Sequence, residues 1–238
     1  MAFLAVFVKI FFFPIMLTGI LGNGYIILNF IHHLFWPLAS ISLAWAWRIY
    51  YLIFAGLIFL DASIFAFAYI AESKSLNNEI KSVEPTLSGW VVALLCYQPF
   101  NRWFYQFREA VIPSWHFDLP KTTGLLLIIS LALALLSFAL YLWASFALGY
   151  KAGNLVNRGI IKTGPYAFIR HPSYIGKNLG WLFILIPVLS DVSQIMLYIS
   201  LAFIYFLRAV TEERHLRRDP EYIDYCKKVP YRFIPGVY

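Results

Sequence analysis

Long apolar stretches separated by short polar ones run the length of this chain. Phe3 to Leu21 reads as a first membrane span closed by Gly22-Asn23-Gly24, and the glycines there are helix-ending residues. Tyr25 to Trp36 is too short for a span, and His32-His33-Leu34-Phe35-Trp36-Pro37 has the composition of an interfacial segment. Ile41 to Ala71 fits one tilted helix or a helix with a lead-in. It carries Arg48 and Asp61, which a helix would hold roughly 20 Å apart, so they cannot pair within it. Asp61 is open to a functional role or to a hydrogen bond with a neighbouring helix.

Glu72 to Pro85 is a polar loop, Thr86 to Phe107 a span interrupted at Gln98-Pro99, and Glu109 to Lys121 a loop or interfacial segment. Thr122 to Tyr150 contains no charged residue and is the clearest span, since about 20 apolar residues suffice to cross a bilayer. Asn178–Ser190 and Val192–Leu207 are apolar runs of 13 and 16 residues, with Pro187, Ser190 and Asp191 where a turn would fall. They predict a helical hairpin whose arms extend into the motif-bearing ends, with Lys177 and Arg208 snorkelling toward water. That hairpin returns Arg208 to the membrane face of His171. The fold class is therefore all-α, a polytopic transmembrane bundle of about six spans, with N-terminal helices over 1–121 and a core over 122–238.

Composition agrees with this pattern. The 238 residues are 61% hydrophobic and 13% charged, where a soluble domain carries about a quarter charged residues. The formal net charge of +7 is unevenly placed: of 19 Lys and Arg, five fall in Lys151–Lys177, which has no Asp or Glu, and seven in Arg208–Arg232. Basic clusters beside spans mark cytoplasmic loops and argue against a nucleic-acid partner. Cys96 and Cys226 form neither a metal spacing nor a disulfide framework, and no metal is expected. The apolar N-terminus reads as a first span and not as a removed signal peptide.

Two polar clusters carry candidate chemistry. In the first, GIIKTGPYAFIRHPSYIG from Gly159 to Gly176, Gly164-Pro165 makes a rigid turn and Pro172 starts a helix at its first position. His171, Ser173 and Tyr174 place donors and acceptors at that helix start, where free N–H groups suit anions. An ordinary basic interfacial loop accounts equally well for Lys162, Arg170 and Lys177. In the second, Arg208 and Glu212 are spaced i to i+4 on one helix face, with Glu213 facing elsewhere. They form either a surface ion pair or a grip on a polar reacting group. Tyr222, Tyr225 and the terminal YRFIPGVY have the look of a tail that folds back as a lid.

Taken together, these motifs resemble the isoprenylcysteine carboxyl methyltransferase family, whose wider relatives include membrane phospholipid methyltransferases. The resemblance covers about Lys151 to Tyr238. It implies S-adenosylmethionine as cofactor, lined by Arg158, Gly159, Ile160 and Ile161, closed over by Tyr166, and completed by His171, Pro172, Ser173 and Tyr174. It implies that Arg208 and Glu212 stand beside the substrate's reacting carboxylate, that Glu213 is the second of paired acids, and that the C-terminal tail closes the pocket. The implied acceptor is a lipophilic small molecule or prenylated substrate entering from the membrane lipid. The implied protein is multi-pass, with its catalytic face toward the cytosol, in a bacterial inner membrane or the endoplasmic reticulum. Leu216-Arg217-Arg218-Asp219-Pro220 departs from the family by being shorter and lacking a Phe-Gly, so the lid is expected to sit differently. The ending VPYRFIPGVY is also similar to membrane sterol reductases, which makes an NADPH-dependent reductase the alternative, with Arg and Lys of Arg158–Arg170 on the nucleotide phosphates. A non-enzymatic lipid-binding or scaffold protein is the third reading.

Overall fold

The architecture is described from a computed structural model covering residues 2–34, 43–97, 99–101, 124–189 and 192–237. Helix α1 (Ala2–Leu34) and helix α2 (Leu43–Ile70) pack along each other, and α2 also packs on α4 (Leu125–Leu148). Between them, a short α3 (Leu87–Leu94) follows strand β1 (Ser82–Val83), which pairs antiparallel with β2 (Val156–Asn157). Helix α5 (Pro172–Leu185) and helix α6 (Val192–Leu216) form the expected hairpin, and α7 (Pro220–Lys228) follows.

Among the described residues, four helices are long and apolar enough to cross a membrane: Ala2–His32, Trp47–Ile70, Leu125–Lys151 and Val192–Leu216. That is fewer than the six expected from sequence, and among the described residues part of the difference has identifiable reasons. The glycines near Asn23 do not end α1. A Cβ on Gly19 would lie 3.3 Å from the Ala62 Cβ and one on Gly24 3.5 Å from the Phe59 ring, so these positions serve close approach of α1 to α2. The first two apolar segments therefore fuse into one helix of 33 residues. Helix α3 has only eight residues, and α5, with 14, rises about 21 Å against a hydrocarbon core of about 30 Å. The interfacial reading at Phe35–Pro37, the break at Gln98, the segment Glu109–Lys121 and the turn at Ser190-Asp191 lie outside the described residues.

The central contact is α4 against α5, held by aromatic packing and glycine. Phe138 of α4 meets Phe54 of α2 at 4.8 Å and Trp181 of α5 at 5.6 Å between ring centroids. At Gly176 a Cβ would fall 2.7 Å from both the Ser137 carbonyl oxygen and the Tyr141 amide nitrogen. The two backbones thus touch, which fixes how far the start of α5 sits from α4. Gly176→Ala is expected to cost about 1–3 kcal/mol, at the upper end because the obstructing atoms are backbone. Gly56→Ala in α2, where a Cβ meets nothing within 4 Å, is the control and is expected to be neutral or stabilising. Thermal unfolding in detergent separates the two.

Apolar side chains on the outer faces, such as Leu125 at 72% and Leu136 at 68% exposure, fit contact with lipid. Lys9, the one charge inside the first apolar run, pairs with Glu72 at 2.7 Å at the end of α2. Asp61 resolves as a structural group: it accepts hydrogen bonds from the Tyr141 hydroxyl and, at 2.5 Å, from Ser145 Oγ, tying α2 to α4.

Candidate functional site

The hairpin brings the two polar clusters to one end of the bundle, around a cleft of about 1170 Å³ with its open mouth included. Of the eleven residues singled out from sequence, Arg158, Gly159, Ile160, Ile161, Tyr166, His171, Ser173, Tyr174, Arg208 and Glu212 line it. Pro172 does not; it is buried at the first position of α5, where its missing N–H costs nothing.

The loop after β2 forms one wall. Gly159 has φ +106°, a backbone that side-chain-bearing residues rarely adopt, and its Cα faces Lys151: a Cβ there would lie 3.0 Å from Lys151 Nζ. Arg158 is placed differently from expectation. Its side chain is fully buried, Nη1 donates to the Asn78 carbonyl at 2.8 Å, and Nη2 lies 3.6 Å from Glu72. Its guanidinium braces the loop after α2.

A second wall starts at the 3₁₀ turn Gly164–Ala167 and runs into α5. The Tyr166 phenol is pushed above its ordinary pKa by burial and then by the charge of Glu212, so it keeps its proton and offers a hydrogen bond. His171 is buried, stacks on Tyr174 with ring centroids 5.3 Å apart, and approaches Glu213 Oε1 through Nε2 at 3.2 Å. Glu213 is a hub: Oε1 accepts from Arg170 Nε at 2.8 Å and Arg232 Nε at 3.0 Å, and Oε2 from Arg232 Nη2 at 2.9 Å. Arg170 also donates to the carbonyls of Val229 and Pro230. The second glutamate of the pair is therefore a structural anchor that holds His171 and the tail.

On α6, Arg208 and Glu212 do not pair with each other. Glu212 is exposed toward the cleft and accepts from the Tyr174 hydroxyl at 2.5 Å. Arg208 donates to Asn154 Oδ1 and lies over the rings of Tyr97 and Tyr174, at 5.3 and 5.7 Å to the centroids. Asn154 is itself held, accepting from the Tyr97 hydroxyl at 2.9 Å and donating to Tyr69. Leu155, next in the chain, takes φ +60°, an uncommon turn for a leucine that starts β2 and aims Asn154 inward.

The C-terminal segment divides in two, with the Tyr222–Tyr225 part at the cleft and the stretch after it on the outside of the motif. Arg170 and His171 donate their backbone N–H groups to Tyr231 and Arg232 carbonyls, both at 3.0 Å, so the tail straps the outside of the motif. Among the described residues from Val229 onward none lines the cleft, whereas Tyr222 and Tyr225 of α7 do. The short linker explains this: α6 stops, Asp219 caps α7, and Pro220 takes its first turn. Tyr225 anchors α7 by donating to the Tyr166 carbonyl at 2.7 Å. The Tyr222 hydroxyl is buried with no hydrogen-bond partner, and burial followed by the Glu213 charge raises its pKa, which leaves a protonated donor at the cleft. Sequence reasoning gave Tyr222 no ligand role, and missed Asn154, Tyr97 and Lys177 as cleft residues.

Asp219 accepts from the Glu221 N–H at 3.0 Å and from Asn157 Nδ2 at 2.9 Å. Burial raises its pKa, but these bonds with Lys81 and Lys162 outweigh burial, and the net shift is downward. A depressed folded pKa means the stabilisation is complete above the unfolded value of about 3.9 and disappears as pH falls through the folded value. Asp219→Ala is expected to cost about 1 kcal/mol at neutral pH, the usual worth of an N-cap. Its deficit relative to the parent, followed by denaturant unfolding, is expected to shrink on acidification below that range.

Comparison with known families gives a match of residues 122–219 to the phospholipid methyltransferase family, a family related to the isoprenylcysteine carboxyl methyltransferases. The matched stretch takes in α4, the Arg158–Ile161 loop, the GPY and RHPSY motifs, and Arg208 to Glu213. No curated protein matches the chain. The NADPH reductase alternative draws no support from the match. Of the cations it would use, Arg170 is committed to Glu213 and the carbonyls of Val229 and Pro230.

Proposed function

From the family match over the cleft-forming stretch, we propose that this membrane protein is an S-adenosylmethionine-dependent methyltransferase acting on the carboxylate of a lipophilic acceptor. The observation that carries the reading is the meeting of the Arg158–Ile161 loop, the start of α5 and the Arg208–Glu212 face of α6 in one cleft within that stretch. The donor set fits the cofactor: Tyr166, Ser173 and the unpartnered Tyr222 hydroxyl offer hydrogen bonds at the cleft. Gly159 to Ile161, Tyr166, His171, Ser173 and Tyr174 would hold it, with Arg158 supporting the loop from behind. When bound, the cofactor supplies an electrophilic methyl group on a sulfonium.

A carboxylate is already ionised at neutral pH and needs no strong base. The protein's part is then alignment and exclusion of water. Arg208 orients the acceptor oxyanion from its position between Tyr97 and Tyr174. Pairing also dampens the oxyanion's nucleophilicity, so geometry must outweigh that loss. Glu212, held by Tyr174, sets the charge beside the reacting groups. The basic clusters beside the spans support a cytosolic orientation for this end of the bundle.

The test is methyl transfer by the purified protein from methyl-labelled S-adenosylmethionine to a membrane lipid extract, followed by alkali treatment of the product. Label released by base as methanol marks a carboxyl ester and is the expected result. Base-stable label would move the acceptor to an amine or thiol, and no labelled lipid would remove the reading.

A further inference from the structure

Lys177 lines the cleft from α5 without a part in the reaction as proposed. It lies five residues past Pro172, so its Cα sits about 7.5 Å along α5 from the helix start. The side chain does not snorkel to water as expected from sequence. It turns into the cleft, with Nζ 4.2 Å from the Tyr141 ring centroid and 6.0 Å from that of Tyr205. Among the described residues it has no carboxylate within 4 Å and donates no hydrogen bond, although an ammonium carries three donors. Asp61 is the nearest anionic influence on Lys177, acting across a gap of more than 4 Å, and its two oxygens accept from Tyr141 and Ser145, so it takes none of the ammonium's hydrogens.

Arg208 repeats the arrangement on the neighbouring helix. It too is held on two tyrosine rings, its hydrogen bond goes to the neutral Asn154 amide, and no carboxylate among the described residues lies within 4 Å of it. Tyrosine faces steady a cation without neutralising it. Both cations are half-buried at the cleft, and an anion there would complete the shell that the rings leave open. Two such cations, one from α5 and one from α6, line the same cleft.

We infer that Lys177 and Arg208 form a two-cation clamp for the oxyanion head, carboxylate or phosphate, of an amphiphilic acceptor, and that Lys177 is its specificity-determining half. The inference rests on the proposed function for what is done to the head once held, but not for its being bound. A neutral or quaternary-ammonium head would leave both cations unmet and is selected against.

The experiment is a thermal-shift titration of the full chain in detergent with S-adenosylhomocysteine and a series of amphiphiles differing only in the head: dodecanoate, dodecyl phosphate, dodecanol and dodecyltrimethylammonium. Saturable stabilisation by one or both oxyanions, and none by the alcohol or the ammonium, is expected. Lys177→Gln is expected to raise the half-saturating oxyanion concentration roughly tenfold or more, as for a lost charge-assisted hydrogen bond. It is expected to keep the homocysteine-analogue shift, and Lys177→Arg to keep both. Stabilisation by dodecanol equal to that by dodecanoate would overturn the clamp, as would an unchanged half-saturation in Lys177→Gln. If Lys177→Gln does not fold, the head series on the parent and on Lys177→Arg decides alone. Oxyanion selectivity without any S-adenosylhomocysteine shift would leave the clamp standing and remove the methyltransferase reading; the reverse would remove only the clamp.

Discussion

Replacing Glu213 with alanine is expected to lower the unfolding free energy by about 3–5 kcal/mol, the cost of breaking a buried ion pair from one side. The carboxylate is 2% exposed and is shared by Arg170, Arg232 and His171, with Arg217 3.5 Å from Oε2. Without it, two buried guanidinium groups face each other uncompensated. The damage is expected to be directional as well. Arg232 lies in the strap whose backbone accepts from Arg170 and His171, so the tail is expected to detach before the bundle opens. Limited proteolysis from the C-terminus then precedes global unfolding in the variant and coincides with it in the parent. Glu213→Gln, which keeps the shape and loses the charge, is expected to fall between. A loss under 1 kcal/mol would mean that the hub is solvated in the membrane-bound protein.

Arg208→Ala is expected to lower turnover by about 10²–10³, in the range found for removing one preorganised charge-stabilising donor. The fold should survive it, because Asn154 keeps its hydrogen bond from the Tyr97 hydroxyl and both bonds to Tyr69. The loss therefore falls on the acceptor and not on the cofactor. S-adenosylhomocysteine affinity in the variant is expected to stay within about twofold of the parent, far below the effect of a lost ionic contact. Arg208→Lys is not expected to restore turnover, since a point charge cannot reproduce the planar grip of a guanidinium on an oxyanion. Steady-state kinetics beside equilibrium binding checks both halves. A parallel fall in cofactor affinity would place Arg208 on the cofactor side of the cleft.

Much of the site was legible because its signals are local. Gly164-Pro165 and Pro172 announce a turn and a helix start whatever the surroundings, and the i to i+4 spacing of Arg208 and Glu212 fixes their common face. The hairpin followed from two apolar runs around Pro187. What sequence missed depends on which neighbour a side chain meets. Lys177 was expected to reach for water, and instead two tyrosines from other helices draw it inward. Arg158 belonged to the binding motif by position, yet Asn78 and Glu72 from a distant loop hold its side chain. Gly19 and Gly24 look like helix breakers alone and become contact points only once α2 lies beside α1. The tail folds back as expected, but the path of its last residues was hidden in the sequence, because the Glu213 hub that directs it is assembled from three separate segments.

The central claim is that the cleft between the Arg158–Ile161 loop and the start of α5 holds S-adenosylmethionine. The most direct test is equilibrium titration of the detergent-purified protein with S-adenosylhomocysteine and, separately, NADPH, in the parent and in His171→Ala. Saturable stabilisation by S-adenosylhomocysteine, about 2.7 kcal/mol at a hundredfold excess over Kd, is predicted for the parent, with weaker binding in the variant and no response to NADPH. A response to NADPH alone, or an S-adenosylhomocysteine affinity indifferent to His171, would contradict the account.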